Sequence, residues 1–366
     1  ARSTVRRLLG IDVEDFGTNE RWLNFDTKVK RPLPEKFDRT AVTMDPERPY
    51  MFMPIGTRRQ RFEIRVAEGE DAAAMEQPQV AWDWLRTKQG LGPDDVEIIR
   101  QLVYPFETRV ARQWRSGRVL LGGDAAHTMP PYAGQGACSA MRDGLNAAWR
   151  LDVVLRGQAA ESVLDTYEQE RRGQYMPLLH LSVFLCGMIN MTDPMAAEQR
   201  NAHIRQSPPP AAPFPTVTSG IVRRGADGTA APLAGTLAPQ GRVRLGSAEG
   251  RYDDVVGRGF QLVCTPDAAD ALTDDARDWF TGIGGTVAVI GDGPGQVGDL
   301  DGVYGDYFTE HAVTAFLNRP DFVVYGAATT AEDISELVEE LRAHLAGDLP
   351  PAIAAEPQPQ TAHAEA

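Results

Sequence analysis

The run RVLLGGDAAHTMPPYAGQGACSAMRDGLNAAWRLDVVL, residues 118–155, decides the fold of this chain. Val119 to Leu121 is short, apolar and closed by Gly122 and Gly123, which predicts a buried strand that ends there. Asp124 follows at the strand's carboxyl end. An ionised carboxylate only accepts hydrogen bonds, so at that place it suits the hydroxyls of a sugar or ribityl chain and would repel a phosphate. The next segment, Met129 to Ala137, mixes two prolines with two glycines, a loop built to hold something with its backbone N–H groups. Met141, Leu145, Ala148, Leu151 and Leu155 then recur at helical spacing. A helix is expected to begin near 136–139, with its positive end against the loop and that stripe as its apolar face.

The ordered run Gly123-Asp124-Ala125-Ala126-His127, Pro130-Pro131, Gly134-Gln135-Gly136, then Asp143 and Asn146, resembles the GD motif of FAD-dependent aromatic-ring monooxygenases, the single-component flavoprotein hydroxylases. The resemblance implies FAD, with NADPH or NADH as reductant. It places Asp124 on the ribityl chain, Gly123 at the turn, and Gly134, Gln135, Gly136, Ala137 and Cys138 along the isoalloxazine ring. Pro131 becomes the wall or carbonyl beside the reacting oxygen, the one catalytic assignment. His127 in that corner is read as a packed, hydrogen-bonded histidine, although its ordinary pKa near neutrality would suit acid–base work.

At 366 residues the chain has room for two or three domains. A formal net charge of -14 argues against nonspecific nucleic-acid binding or a basic membrane-facing patch, both of which need a positive face. Cys138, Cys186 and Cys264 are odd in number and far apart, with no spacing for a metal or a redox pair, which points to a reducing cytoplasm. The longest apolar stretch, Pro177 to Ile189, is interrupted by His180 and too short to span a bilayer; a packed helix is expected.

The chain opens at Ala1, and Ala1-Arg2-Ser3-Thr4-Val5-Arg6 resembles the second half of the family's Asp-Gly motif. Arg2 and Arg6 are thereby placed near FAD and the pyridine nucleotide; surface arginines are the plainer alternative. No G-x-G-x-x-G phosphate-binding βαβ unit is expected in these residues, so the chain is read as the C-terminal portion of a longer flavoprotein.

Between residues 11 and 107 the pattern alternates. Tyr50–Pro54 and the run Phe62, Ile64, Val66 between Arg61, Glu63 and Arg65 predict two strands about a Gly56-Thr57 turn. Val80–Leu85 adds a helix, and another strand follows Asp95. The family builds its substrate-binding sheet at this place, and Asp45 to Glu63 resembles the subgroup acting on 3-(3-hydroxyphenyl)propionate and related phenols. Arg58, Arg59 and Arg61 can hold a substrate carboxylate by bidentate pairing; a charged solvent face is the blander reading.

Ser162 and Asp165 read as a capping-box start of a second helix through Leu164, Tyr167, Arg171 and Tyr175, which Pro177 should kink or restart. Five prolines within 207–215 predict a linker. Beyond it come strands near 259–265, 286–290 and 322–326, a helix within 299–317, and an amphipathic helix at 331–345. This order, with Arg319-Pro320-Asp321, resembles the thioredoxin-like C-terminal domain of the larger hydroxylases. Without Cys-x-x-Cys its role is expected to be structural or dimer-forming.

The expected class is α/β and α+β. Residues 1–10 are the remnant of an FAD-binding domain, 11–107 an inserted substrate-binding β-sheet domain, and 108–206 the GD motif with its helices. A linker at 207–219, a thioredoxin-like domain at 220–347 and a disordered tail at 348–366 complete the division. The implied activity is hydroxylation of a phenolic substrate, 3-(3-hydroxyphenyl)propionate-like, with O2 and without metal. The alternatives are a binding module without flavin turnover, or a flavin oxidase or dehydrogenase of the same fold.

Overall fold

The computed structural model describes residues 2–18, 20–208 and 214–349. The chain divides into two compact units, each assembled from separated segments. One comprises Ala1–Gln113, Leu121–Cys138 and Pro177–Pro213, the other Trp114–Leu120, Ser139–Met176 and Phe214–Ala366.

In chain order the first segment supplies α1 (Thr4–Leu8), β1 (Val13–Asp15), β2 (Arg21–Val29), β3 (Ala41–Thr43), β4 (Tyr50–Pro54), β5 (Arg59–Arg65), α2 (Ala72–Met75), α3 (Pro78–Trp84), β6 (Val96–Pro105) and β7 (Arg109–Ala111). Strands β8 (Arg115–Ser116) and β9 (Val119–Leu120) form a hairpin of their own in the second unit, and β10 (His127–Thr128) returns to the first. Five strands make an antiparallel sheet in the order β3-β4-β5-β2-β6, and β1-β7-β10 make a small second one. Gly56 takes the left-handed turn between β4 and β5, as the alternation predicted.

The large sheet buries Leu23, Phe25, Phe52, Phe62 and Ile64 against Phe37, Trp84 and Leu85. Phe25 and Phe62 stack at 5.4 Å, and Trp84 meets both edge-on. The opposite face is not a solvent face, contrary to expectation. Glu63 is 8% exposed, Arg61 forks onto Asp26 and Arg65 pairs with Glu20, so these charges are sequestered by partners.

Strand β2, between β5 and β6, was not assigned from the sequence. Trp22, Leu23, Asn24, Phe25 and Thr27 are all buried, so both faces are covered even though Leu23-Asn24-Phe25-Asp26 alternates apolar with polar.

Two long helices follow, α4 (Gly136–Leu155) and α5 (Thr166–Ile189), then α6 (Pro194–Gln206). The start of α4 is as expected, but its faces are reversed. Met141, Leu145, Ala148, Leu151 and Leu155 are exposed, while Ser139, Asp143, Asn146, Trp149, Arg150 and Val153 are buried. The buried side is a paired polar network. Asp143 holds Arg171 at 2.9 Å; Glu170 lies between Arg150 at 2.5 Å and Arg319 at 2.7 Å; Asp321 accepts from Arg319, Asn146 and Trp149. The Arg319-Pro320-Asp321 run thus supplies an anchor to the helices of its own unit.

Three further expectations are corrected. The strand at 119–121 is only two residues, half-buried, because the chain turns at Gly122 into a short 3-10 turn, Gly123–Ala125. Ser162 does not start a helix: Glu161–Asp165 is a 3-10 turn, and α5 begins at Thr166. Pro177 does not restart it, for the helix runs on to Ile189, with Tyr175 before the proline and Leu178 and Leu179 after it buried.

The C-terminal part brings β11 (Arg242–Leu245), β12 (Ala248–Arg251), α7 (Tyr252–Val255), β13 (Gln261–Cys264), α8 (Pro266–Ala271), α9 (Asp274–Gly282), β14 (Thr286–Val289), β15 (Gly298–Asp299), α10 (Val303–His311), β16 (Ala315–Asn318), β17 (Val324–Ala328) and α11 (Asp333–Ala346). A mixed sheet, β14-β13-β16-β17, has β13 parallel to β14 and β16 antiparallel to both neighbours. Ile334, Leu337, Val338, Leu341 and Leu345 of α11 seal one face at 0–1% exposure, as the periodicity predicted.

One run does match the G-x-G-x-x-G spacing, Gly293 to Gly298, where none was expected. It leads into β15 rather than a helix, and the Gln296 side chain accepts from the Gly293 N–H at 2.8 Å. The loop closes on itself and lacks the helix terminus that a pyrophosphate needs. The expected disordered tail lies outside the described residues beyond 349, and the middle of the linker, 209–213, does too.

Candidate functional site

The corner at Gly123–Cys138 lies within the first unit. Gly123 is buried with φ of 54°, a conformation costly for any residue with a Cβ, and it turns the chain so that Asp124 emerges exposed. The Asp124 carboxylate makes no hydrogen bond or ion pair among the described residues. Ala125 accepts from Arg6 Nη1 at 2.7 Å, which ties α1 to the corner. Arg2 is exposed, and with Arg6, Arg7 and Asp12 it lines a separate depression of about 500 Å³. His127 is 3% exposed and pairs with Val110 in the small sheet, which agrees with a packed histidine.

The loop that follows is pinned from two sides. Ser182 Oγ donates to the Pro130 carbonyl, and Asn190 Nδ2 donates to the Tyr132 hydroxyl at 2.8 Å. Burial pushes the Tyr132 phenol far above its ordinary range, and the Asn190 contact offsets only part of that. Its ring meets Trp22 at 6.0 Å and Phe106 at 5.8 Å, both edge-on. The loop is therefore locked to the large sheet through aromatic contacts.

Gly134 closes a turn with φ of 63°, its N–H donating to the Pro131 carbonyl at 2.8 Å. That donor is spent, so Gly134 contributes the bend and not a free N–H. A Cβ at Gly134 or Gly136 would meet nothing within 4 Å, so the space before the loop is open. Gly136, Ala137 and Cys138 open α4, where first-turn N–H groups have no acceptor in the helix's own ladder. Gln135 is half-buried just ahead of them, and the half-buried Cys138 turns its thiol to the Gly134 carbonyl at 3.8 Å.

Pro131 is exposed and lines a cavity of about 190 Å³ together with Trp22, Asn24, Arg61, Glu63, Tyr104 and Phe106. A cavity of roughly 150 Å³ takes up benzene, so this one holds a single substituted ring. Strands β2, β5 and β6 present its floor. Asn24 lies opposite Glu63 in the β2–β5 register and donates to it at 2.8 Å. Burial raises the Glu63 pKa above the usual carboxylate value, while Arg61 and Asn24 pull it back.

Of the cavity residues, sequence reading assigned Pro131 to the site and offered Arg61 as a holder of a substrate carboxylate. Trp22 and Asn24 sit on a strand that sequence reading did not pick out, and Glu63 stood in what read as a solvent face. Arg58 and Arg59 are exposed at the turn, and Arg61 is committed to Asp26 at 2.8 and 3.1 Å. These residues do not form a cluster of free guanidinium groups.

An open, amide-lined loop beside an exposed carboxylate suits a polyhydroxylated, anion-accepting planar group. The FAD binding domain family matches residues 1–180, and the HcaD C-terminal domain family matches residues 235–344. The chain carries the FAD binding domain and the HcaD C-terminal domain and has the fold of the FAD-dependent aromatic hydroxylases. It is 32% identical to a probable NADH-specific resorcinol 4-hydroxylase of Rhodococcus jostii, over 93% of this chain and 64% of the relative. It is also 32% identical to a 3-(3-hydroxy-phenyl)propionate/3-hydroxycinnamic acid hydroxylase of Mycolicibacterium smegmatis, over 95% of this chain and 65% of the relative. The chain thus spans just under two thirds of the length of these two relatives.

Among solved structures, aklavinone-11 hydroxylase in complex with FAD and aklavinone superposes with a TM-score of 0.71 at 24% identity, covering 94% of this chain and 66% of that one. The flavin-dependent monooxygenase PieE, in complex with FAD and substrate, gives 0.70 at 20% identity, covering 94% and 69%. At these identities the likeness establishes the flavin hydroxylase fold. No helix among the described residues is long and apolar enough to cross a membrane.

Proposed function

We propose that the protein carrying this chain is an FAD-dependent monooxygenase that hydroxylates a phenolic ring, with NADH or NADPH as reductant and O2 as co-substrate. The observation that supports this reading best is the ring-sized cavity bounded on one side by Pro131 of the flavin loop and on the other by Trp22, Asn24 and Glu63 of the sheet. Both relatives are named for substrates with a hydroxylated benzene ring.

The residues present fit FAD. Asp124 would accept from ribityl hydroxyls, and Gly123 and Gly134 would shape the corner. Gln135, Gly136, Ala137 and Cys138 would set backbone N–H groups and the positive end of α4 against the flavin's pyrimidine edge. Arg6, held at Ala125, and Arg2 would offer positive charge to the phosphates of FAD or of the nicotinamide cofactor. When bound, FAD supplies the transfer of electrons from NAD(P)H to O2 and of one oxygen atom to the ring. The chain's own work is to stack the phenol between Trp22, Phe106 and Pro131 and to exclude water from that space.

The strand order β14-β13-β16-β17 supports a thioredoxin-like reading of residues 220–347. Cys264 is buried there and burial pushes its thiol up to about 12, which supports a structural or dimer-forming role over a redox one. Three unpaired cysteines support a reducing cytoplasm.

The decisive experiment follows phenol-stimulated NADH oxidation by the FAD-loaded protein under labelled O2. A monooxygenase places label in a hydroxylated product. NADH consumption without incorporated label would make it an oxidase or dehydrogenase, and no turnover would leave a binding module.

A further inference from the structure

The cavity beside Pro131 has an unusual polar lining. Trp22 is 1% exposed and its Nε1 has no hydrogen-bond partner; Asn24 is 4% exposed and its Oδ1 has none. The orientation of the Asn24 amide is fixed because its nitrogen donates to Glu63 Oε1, so the unpartnered atom is an acceptor. Glu63 bonds Asn24 through Oε1, while its Oε2 makes no hydrogen bond among the described residues and stays open to an incoming donor. Buried polar atoms are nearly always satisfied, so a set of orphans around one cavity calls for a ligand that completes them.

We infer that this cavity selects neutral phenols bearing hydroxyl groups over aromatic acids, with Glu63 and Asn24 as the selecting residues. The inference rests on the phenolic reading above and narrows its substrate class. Asn24 Oδ1, buried and unpartnered, needs a donor, and Glu63 Oε2 can accept from a second one. A hydroxyl donates and accepts, whereas a carboxylate only accepts, so an acid with a carboxylate in place of one hydroxyl would leave one of the two without a donor.

Charge points the same way. The one cation lining the cavity, Arg61, gives Nε and Nη2 to Asp26 and stands 3.9 Å from Glu63 Oε1, so two carboxylates already share it. An aromatic acid would bring a third, and like charges set together without water are strongly repelled. A ring with two hydroxyls instead donates to Glu63 and Asn24, while one of its oxygens accepts from Trp22.

The test measures binding to the FAD-loaded protein by equilibrium dialysis near neutral pH, with resorcinol and 3-hydroxybenzoate as probes of similar size. A phenol with an ordinary pKa near 10 is then neutral, and the benzoate is ionised. The native protein is expected to bind resorcinol at least about tenfold more tightly, the scale of one unfavourable charge contact. Glu63→Gln keeps the shape, removes the charge and offers an N–H; it should narrow the ratio about tenfold or more.

Equal or tighter binding of 3-hydroxybenzoate by the native protein overturns the inference, as does binding of neither probe. An unchanged ratio in Glu63→Gln with full FAD content does so too. A protein that inserts oxygen into a phenol yet prefers the acid loses only this selectivity. One that prefers resorcinol without inserting oxygen retains it and loses the monooxygenase reading.

Discussion

Arg319 and Glu170 face each other 2.7 Å apart, with both side chains wholly buried. Glu170 also pairs with Arg150, and the Arg319 guanidinium pairs with Asp321 as well. Replacing Glu170 by Gln would leave two buried guanidinium groups sharing a neutral amide. Removal of one partner from a buried pair costs about 3–5 kcal/mol. Urea titration of Glu170→Gln should register a loss of that size, whereas exposed Glu161→Gln, beside Arg115, should change little.

The same network sets an acid limit. Burial alone would raise the Glu170 pKa, but Arg150 and Arg319 outweigh it and bring it down to about 2. A folded-state pKa below the ordinary 4.5 means that the contribution is present above pH 4.5 and is lost as pH falls from there toward 2. Stability measured through this window should fall more steeply in the native protein than in Glu170→Gln, and parallel curves would contradict this account of the network.

Much of this was legible in the sequence where one face of an element meets solvent and the other meets apolar core. Helix α11 shows this, with five apolar residues at helical spacing and all five buried. The same rule failed on α4, because periodicity finds a stripe without saying which side is inside. There the buried side holds Asp143, Asn146 and Arg150, stable only because residues far along the chain neutralise them. Strand β2 was not picked out although Leu23-Asn24-Phe25-Asp26 alternates, and its alternation does not reveal that the polar face is covered too. The GD corner was readable because its glycines, prolines and aspartate are each fixed by backbone geometry, while the cavity floor depended on which strand lies opposite β5.

Cysteine accessibility offers a probe of the loop. Cys186 and Cys264 are buried, and burial raises both thiols; Cys138 is half-buried at the start of α4. A thiol reagent should label one cysteine in the folded protein, Cys138, and three after denaturation. Saturating FAD should slow labelling of Cys138, and equal rates with and without FAD would count against the flavin lying on this loop.

Tyr132 couples loop and sheet. Tyr132→Phe removes the hydroxyl that accepts from Asn190 and should cost about 1 kcal/mol of stability. Tyr132→Ala also removes the ring contacts to Trp22 and Phe106, and should weaken both FAD retention and phenol binding. Comparison of the two variants by flavin content after gel filtration separates the hydrogen bond from the packing.

The most direct test is the FAD affinity of the protein carrying this chain, compared with its Asp124→Ala variant by titration of flavin fluorescence. Hydrogen bonds to a charged group are worth about 1.5–3 kcal/mol, so the variant should bind FAD about ten- to a hundredfold more weakly while its melting temperature stays unchanged, since the exposed carboxylate holds no protein partner among the described residues. Unaltered FAD affinity in a folded Asp124→Ala protein would contradict the assignment of this corner to the flavin.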